Sequence, residues 1–251
     1  MNDRAVPSVA VAVAGVRAAT RPGGAKPNED AAIVNAEAHI YGVIDGVSAI
    51  DGHDDEAGPT GGFVASRLLA SELQAVRPDG SLKAAVLRAN AGLRLRMQTA
   101  GVEVADKRRL WGAVFAAVKV GEKRIEYVQC GDCMLFVKYR DGAVRMLTRN
   151  QVAGFDRVTL QARMEMTATG SMSGADIEAA MLPLYEANRN LANAPDGYAV
   201  MNGDPEMEYG MESGFISRSG VHKLYAVTDG LFHFFETDRD PRTWEKMLDR
   251  L

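Results

Sequence analysis

Apolar and polar positions along this chain follow two different periods, and the points where one period gives way to the other mark the elements. Residues 6–16 form a short apolar run that reads as a buried first strand. A stretch punctuated by glycine and proline follows at 21–27. Residues 31–34 and 39–44 read as two further strands, the second ending abruptly in Asp45-Gly46. The acidic loop at 49–59 has no period. From Gly61-Gly62 onward the spacing turns helical, with Phe63, Val64, Leu68, Leu69, Leu73 and Val76 on one stripe. A second helix starts at Ser81, a good N-cap, and runs to Thr99 before Gly101 stops it; its stripe is Leu82, Val86, Leu93 and Met97.

After Trp111 the period changes to that of strands. Residues 113–120, 125–129, 134–139 and 144–147 are apolar runs separated by short turns, which predicts an antiparallel meander. From 149 to 173 the pattern dissolves into polar, methionine-rich sequence. Residues 175–191 look helical, with Pro183 interrupting or kinking the helix. Residues 198–201 and 222–228 read as strands and 241–251 as a closing helix. Two helices inserted between strand groups, without strict strand–helix alternation, indicate an α+β fold. One domain spanning 1–251, with a variable insertion at about 149–200, is the simplest organisation.

Composition narrows the function classes. The 251 residues are 47% hydrophobic and 25% charged, with a formal net charge of -4 and no lysine–arginine block. The footprint of a nucleic-acid-binding surface is therefore missing. No apolar run approaches the roughly 18 residues of a membrane span. The first apolar run lacks the basic lead of a secretory signal, so a cytoplasmic location and no membrane association are expected; a monomer is the expected state. Cys130 and Cys133 are spaced C-x-x-C, but the pair lies between two strand-like runs and does not open a helix. Two small buried thiols beside a tight turn is the expectation. No histidine is spaced to complete a zinc site with them.

Three apolar runs end in, or turn at, an aspartate next to glycine: Ile44-Asp45-Gly46, Gly131-Asp132 and Thr228-Asp229-Gly230. A carboxylate at a strand end is fixed by the sheet behind it, and the glycine lets a cation or phosphate approach the backbone. Hard cations such as Mg²⁺ and Mn²⁺ take oxygen ligands of this kind. Asp-Gly is also a common turn pair, so each copy alone has a purely structural reading. Asn28-Glu29-Asp30 adds paired acids before another strand, either a solvated loop or an outer shell holding the metals' water.

Taken in order, these segments resemble the type 2C protein phosphatases. Asn28-Glu29-Asp30-Ala31, Val43-Ile44-Asp45-Gly46-Val47-Ser48, and Gly61-Gly62 before Ala65-Ser66 are similar to that family's opening motifs. Val128-Gln129-Cys130-Gly131-Asp132-Cys133 resembles its Gly-Asp-Ser strand turn, and Ala226-Val227-Thr228-Asp229-Gly230 its late Asp-Gly motif. The resemblance implies a four-layer α-β-β-α sandwich of two antiparallel sheets flanked by helices. It implies two Mn²⁺ or Mg²⁺ ions, with Asp45 bridging them, Gly46 offering its carbonyl to one and Asp229 binding the second. Glu29 and Asp30 would hold metal-bound waters, and Asp132 would match the acid of a third, looser site. The implied reaction is hydrolysis of phosphoserine or phosphothreonine in a phosphorylated protein substrate by metal-activated water. Ser48 and Ser66 then serve as turn and packing residues.

The chain also departs from the family pattern. An arginine that holds phosphate, four residues before the motif glutamate, is replaced by Ala25, which leaves Lys26 as the nearest candidate for that role. Val47 stands where some relatives have a histidine, and His53 is read as a spectator. The family's terminal Asp-Asn or Asp-Asp pair has no counterpart before Leu251. The alternative function is accordingly a catalytically inactive, phosphatase-like binding module. The segment 149–200 would form the family's variable flap, where Asn188, Arg189, Asn190 and Asn193 have two readings, contacts to substrate or a solvated helix face, the second being preferred.

Overall fold

Strand β3, Gly112–Val120, sits at the middle of the molecule because its sequence suits burial on both sides. Ala113, Phe115 and Ala117 face one core, and Val114, Ala116, Val118 and Val120 face another. The period of two sends successive side chains to opposite faces, so a strand apolar at every position belongs between two layers. The computed structural model describes residues 13, 15–20, 28–50, 59–168, 170–231, 244 and 248. Around β3 lie β1 (Ala31–Asn35), β2 (Ile40–Val47), β4 (Arg124–Cys130) and β7 (Glu212–Ser217), in an antiparallel sheet ordered β1-β2-β3-β4-β7. A second antiparallel sheet, β6-β5-β8, is built from β5 (Met134–Tyr139), β6 (Val144–Met146) and β8 (Val221–Val227).

Helices cover the outer faces. α1 (Gly61–Gln74) and α2 (Leu82–Thr99) pack on the first sheet, with Leu69, Leu73, Leu82, Leu93 and Met97 fully buried against Ile33, Ile40 and Ile44. Thr60 and Ser81 cap the two helices by accepting from the Phe63 and Ala84 amides. Trp244 and Leu248, both helical, pack on the second sheet against Met134 and Phe136, with the Phe136 and Trp244 ring centroids 4.6 Å apart. The two antiparallel sheets with flanking helices are those expected of the sequence. Among the described residues no helix is long and apolar enough to cross a membrane.

Several sequence expectations are corrected. β2 does not end at Asp45-Gly46 but runs on to Val47, with Asp45 opposite Val114 and Gly46 opposite Ala113. The meander is broken, because β4 and β5 belong to different sheets and Gly131-Asp132 is the crossing between them. Gly131 has φ +73, and an added Cβ would lie 2.7 Å from Val114 Cβ, so glycine is required there.

Residues within 149–173 hold helix α3, Ala153–Ala168, which buries no residue and therefore carries no apolar stripe to read. Helix α4, Gly174–Asn190, accommodates Pro183. Both Pro183 and Ala179, whose carbonyl loses its donor, are exposed to water. Residues 198–201 form isolated bridges, Ala113 to Met201 and Ala192 to Tyr198, and no regular strand. The polar edge strand β7 and the short helix α5 (Met207–Gly210) have no apolar pattern in the sequence. Most of residues 6–16, of the loop at 49–59 and of the closing segment 241–251 lies outside the described residues.

Candidate metal centre

Asp45 reaches its position because β2 is clamped on both sides. β1 and β3 pair with it through backbone hydrogen bonds, and the first turn of α1 passes close to Gly46. A Cβ on Gly46 would lie 2.6 Å from the Gly62 carbonyl carbon and 2.8 Å from Glu29 Cβ; one on Gly62 would lie 2.8 Å from the Gly46 carbonyl carbon. Both glycines are therefore needed for close approach between strand and helix, and neither sits at a hairpin turn. The end of the strand is tied down as well. Ser48 Oγ donates to Glu29 Oε1 at 2.6 Å, and Thr60 Oγ1 donates to the same oxygen.

Asp30 follows a turn in which its amide donates to Asn28 Oδ1 at 3.1 Å, and Asn28 in turn donates to Thr20 Oγ1 at 2.7 Å. Asp132 stands on the crossing between the sheets, and Asp229 opens a single 3₁₀ turn directly after β8. Separate segments of the chain thus place Asp30, Asp132 and Asp229 within electrostatic reach of Asp45. The Asp45 carboxyl lies within hydrogen-bonding reach of both Asp30 and Asp229.

The electrostatics are those of crowded acids. Burial, then the charges of Asp229, Asp30 and Asp132, push Asp45 from the ordinary 3.8 up to about 8. Burial, then Asp229 and Asp156, push Asp132 up to about 7, while its own amide and that of Cys133 pull the other way. Asp30 is raised by burial and by Asp229, against hydrogen bonds from Asp45 and Thr20 and the charge of Arg67. Asp156, on α3, is pushed up to about 6 by burial and by Asp229.

These residues fit a site for hard divalent cations. Asp132 Oδ1 is buried without a hydrogen-bond partner among the described residues, an acceptor left for an ion or its water. The donors are all oxygens and their shared repulsion is what a cation relieves. Among the described residues no three histidine, cysteine, aspartate or glutamate side chains converge as a ready chelate. The fitting set is therefore carboxylates acting singly or in pairs, completed by a backbone carbonyl and water.

Of the residues singled out in the sequence, Asp45, Asp229, Asp132 and Asp30 come together, with Gly46 beside Asp45. Glu29 stands next to them but gives one carboxylate oxygen to Ser48 and Thr60. Lys26 lies outside the described residues. Cys130 and Cys133 are free and buried, in the outer and inner cores respectively, and burial pushes both thiols well up. This is the pair of small buried thiols beside a tight turn that the sequence predicts. Ser66 is fully buried and donates to the Phe63 carbonyl at 3.1 Å. The α4 polar cluster is not wholly a solvated face. Asn188 and Arg189 turn inward, and with Asp156 and Tyr198 they line a pocket that contains Asp45 and Asp132. Asp156 carried no signal in the sequence, because α3 carried none.

Comparisons with known proteins agree with this fold. The profile of the protein phosphatase 2C family matches residues 23–251. A search of curated proteins returns no match. Among solved structures, the chain is similar to the serine/threonine phosphatase Stp1 from Staphylococcus aureus, at 18% identity over 87% of this chain and 75% of that one, with a TM-score of 0.52. It is similar to the catalytic domain of the serine/threonine protein phosphatase PstP in complex with two manganese ions, at 17% identity over 92% and 81%, with a TM-score of 0.52. The serine/threonine phosphatase PstP/Ppp of Mycobacterium tuberculosis matches at 18% identity over 89% and 85%, with a TM-score of 0.50. At these identities the structural likeness shows the shared fold.

Proposed function

The chain belongs to the protein phosphatase 2C family, and from that premise we propose that it hydrolyses phosphoserine and phosphothreonine in proteins with the help of two Mn²⁺ or Mg²⁺ ions. The observation that carries this reading is the meeting of Asp45 with Asp229, Asp30 and Asp132 from four separate segments, in mutual repulsion. Asp45 would be shared between the ions, with the Gly46 carbonyl and Asp229 completing their protein ligands. Glu29 and Asp30 would hold water around them, and Asp132 would serve a third, weaker site. When bound, the cations neutralise the dianionic phosphate monoester and make water a competent nucleophile near neutral pH.

The chain's own groups supply placement and shelter. Ser48 and Ser66 spend their hydroxyls on Glu29 and the Phe63 carbonyl, and both thiols are buried, so these side chains are not candidates for covalent attack. Asp30, within hydrogen-bonding reach of Asp45, holds that carboxylate's orientation and can accept a proton beside it. The α3–α4 hairpin overhangs the pocket and narrows the access of water from that side.

A second reading, a phosphatase-like binding module without turnover, is favoured by the lack of a ready three-ligand chelate among the described residues. Purified protein assayed on an aryl phosphate and on a phosphothreonine peptide, with Mn²⁺ and with chelator, separates the two. Turnover that needs Mn²⁺ and disappears in Asp45→Asn supports the enzyme. A folded protein inert on both substrates at millimolar Mn²⁺ leaves the binding module.

A further inference from the structure

The pocket beside the acids, about 190 Å³ in volume, contains three carboxylates, Asp45, Asp132 and Asp156, and among its described lining residues one cation, Arg189. Arg189 comes from the last turn of α4, and its Nη2 donates to the Ser48 carbonyl at 3.0 Å. Ser48 is itself fixed by Glu29, which also receives Thr60. The guanidinium is thus anchored three residues beyond Asp45, with one of its five N–H groups engaged there.

Among the described residues no carboxylate pairs with it. Burial pulls its pKa down, with only the Tyr198 hydroxyl acting in the other direction. A largely buried arginine without a counter-ion is costly, and side chains of this kind are normally found paired. The pocket therefore holds an uncompensated fork of N–H donors close to a group of acids suited to cations. A phosphate monoester dianion fits both at once, with oxygens for the guanidinium and oxygens for the ions. The sequence adds a reason for such a device, since Ala25 stands where the resembled family has its phosphate-holding arginine.

We propose that Arg189, reaching in from the inserted helical hairpin, is the residue that grips the phosphate of the phosphoserine or phosphothreonine substrate. The inference rests on the phosphatase reading above. Its consequence is that substrate binding and hairpin position are coupled, because the phosphate-gripping residue rides on α4 and not on the body of the sheets.

The test is calorimetric titration of inorganic phosphate into the Mn²⁺-loaded protein for the wild type, Arg189→Lys and Arg189→Met, alongside kcat/KM on an aryl phosphate and the melting temperature of each. Arg189→Met is expected to weaken phosphate binding on the order of a hundredfold, and Arg189→Lys roughly tenfold, because lysine keeps the charge but not the bidentate fork. Values of kcat/KM should fall in parallel.

A role confined to anchoring Ser48 makes another prediction: lysine, still able to donate to that carbonyl, would restore phosphate affinity together with the melting temperature. That outcome, or affinity within about twofold of wild type in both variants, or no phosphate binding by the wild type, overturns the proposal. If Arg189→Met does not fold, the lysine variant decides. Wild-type protein that binds phosphate through Arg189 yet turns over no monoester would sink the phosphatase reading and leave Arg189 as the phosphate-gripping residue of a binding module. Mn²⁺-dependent turnover with unaltered phosphate affinity in the variants would do the reverse.

Discussion

Asp45 gathers the repulsion of the site in a single carboxylate. Its folded pKa of about 8 against an ordinary 3.8 means that the folded protein holds this proton more tightly than the unfolded chain does. The consequence has a definite sign. Well below pH 3.8 both states are protonated and nothing is lost. As pH rises toward 8 the folded state is increasingly penalised relative to the unfolded one. In chelator, Asp45→Asn should therefore melt above the wild type at pH 8, with the gap closing toward pH 4. With Mn²⁺ present the same variant should lose more activity than the roughly 10- to 100-fold that removing an outer partner of a metal ligand costs. Melting curves across pH and initial rates check the two halves, and a variant melting below wild type in chelator at pH 8 would contradict the first. At this scale the sequence was partly legible. Asp45, Asp132 and Asp229 were visible because each is an acid beside a glycine at an apolar run. Asp156 was not, and Arg189 was named only within a cluster read mainly as a solvated face, because both lie on helices facing a cavity that no local pattern encodes.

At the level of elements, apolar periodicity was informative wherever one face is fully buried. The α2 stripe of Leu82, Val86, Leu93 and Met97 is wholly inside, as its spacing requires. It was uninformative for α3, which buries nothing, and for β7, where Ile216 is the one buried residue. The glycines were visible but easily misread. Gly46 looked like the start of a turn, yet it lies within β2 and is small because α1 crosses there. Gly46→Ala should cost about 1–3 kcal/mol of stability, the usual range for overpacking a tight contact. It should also weaken Mn²⁺ binding, because the clash must be relieved by moving β2 or α1. Denaturant midpoints and metal titration measure both effects; an unaltered midpoint would mean that the strand and helix can separate freely.

The hairpin itself makes a different prediction. Arg163 with Glu178, and Asn188 with Thr159 at 3.0 Å, join α3 to α4. Lys107 holds the end of α4 to the body through the Asn190 and Ala192 carbonyls, at 3.1 and 2.6 Å. With few buried apolar groups, its amides should exchange with solvent well before those of β3, and Lys107→Met should hasten that exchange while leaving β3 unchanged. Equal protection of α3 and β3 in hydrogen-exchange mass spectrometry would argue against a separately opening hairpin.

Across the whole molecule, the formal charge of -4 is modest, but part of it is focused at one place by the fold. Sheets and helices bring acids from before β1, inside β2, between β4 and β5 and after β8 to one site, and core packing must offset their repulsion. A divalent cation reverses that balance, since it favours the charged carboxylates and lowers their pKa values. With Asp45 near 8, Asp132 near 7 and Asp156 near 6, part of this set carries protons at neutral pH. Binding of Mn²⁺ must then expel protons, and by linkage the apparent affinity must rise with pH and level off once the set is ionised, above about pH 8–9. Calorimetry of Mn²⁺ binding at pH 7, in two buffers of different ionisation enthalpy, should give heats that differ in the sense of proton release. At pH 9 the buffer dependence should nearly vanish. In parallel, the rise in melting temperature on adding Mn²⁺ should be larger at pH 8 than at pH 6, because stabilisation by a ligand follows its affinity for the folded state. Binding heats independent of buffer at pH 7, together with an affinity flat in pH, would mean that the ion is held somewhere other than among these acids.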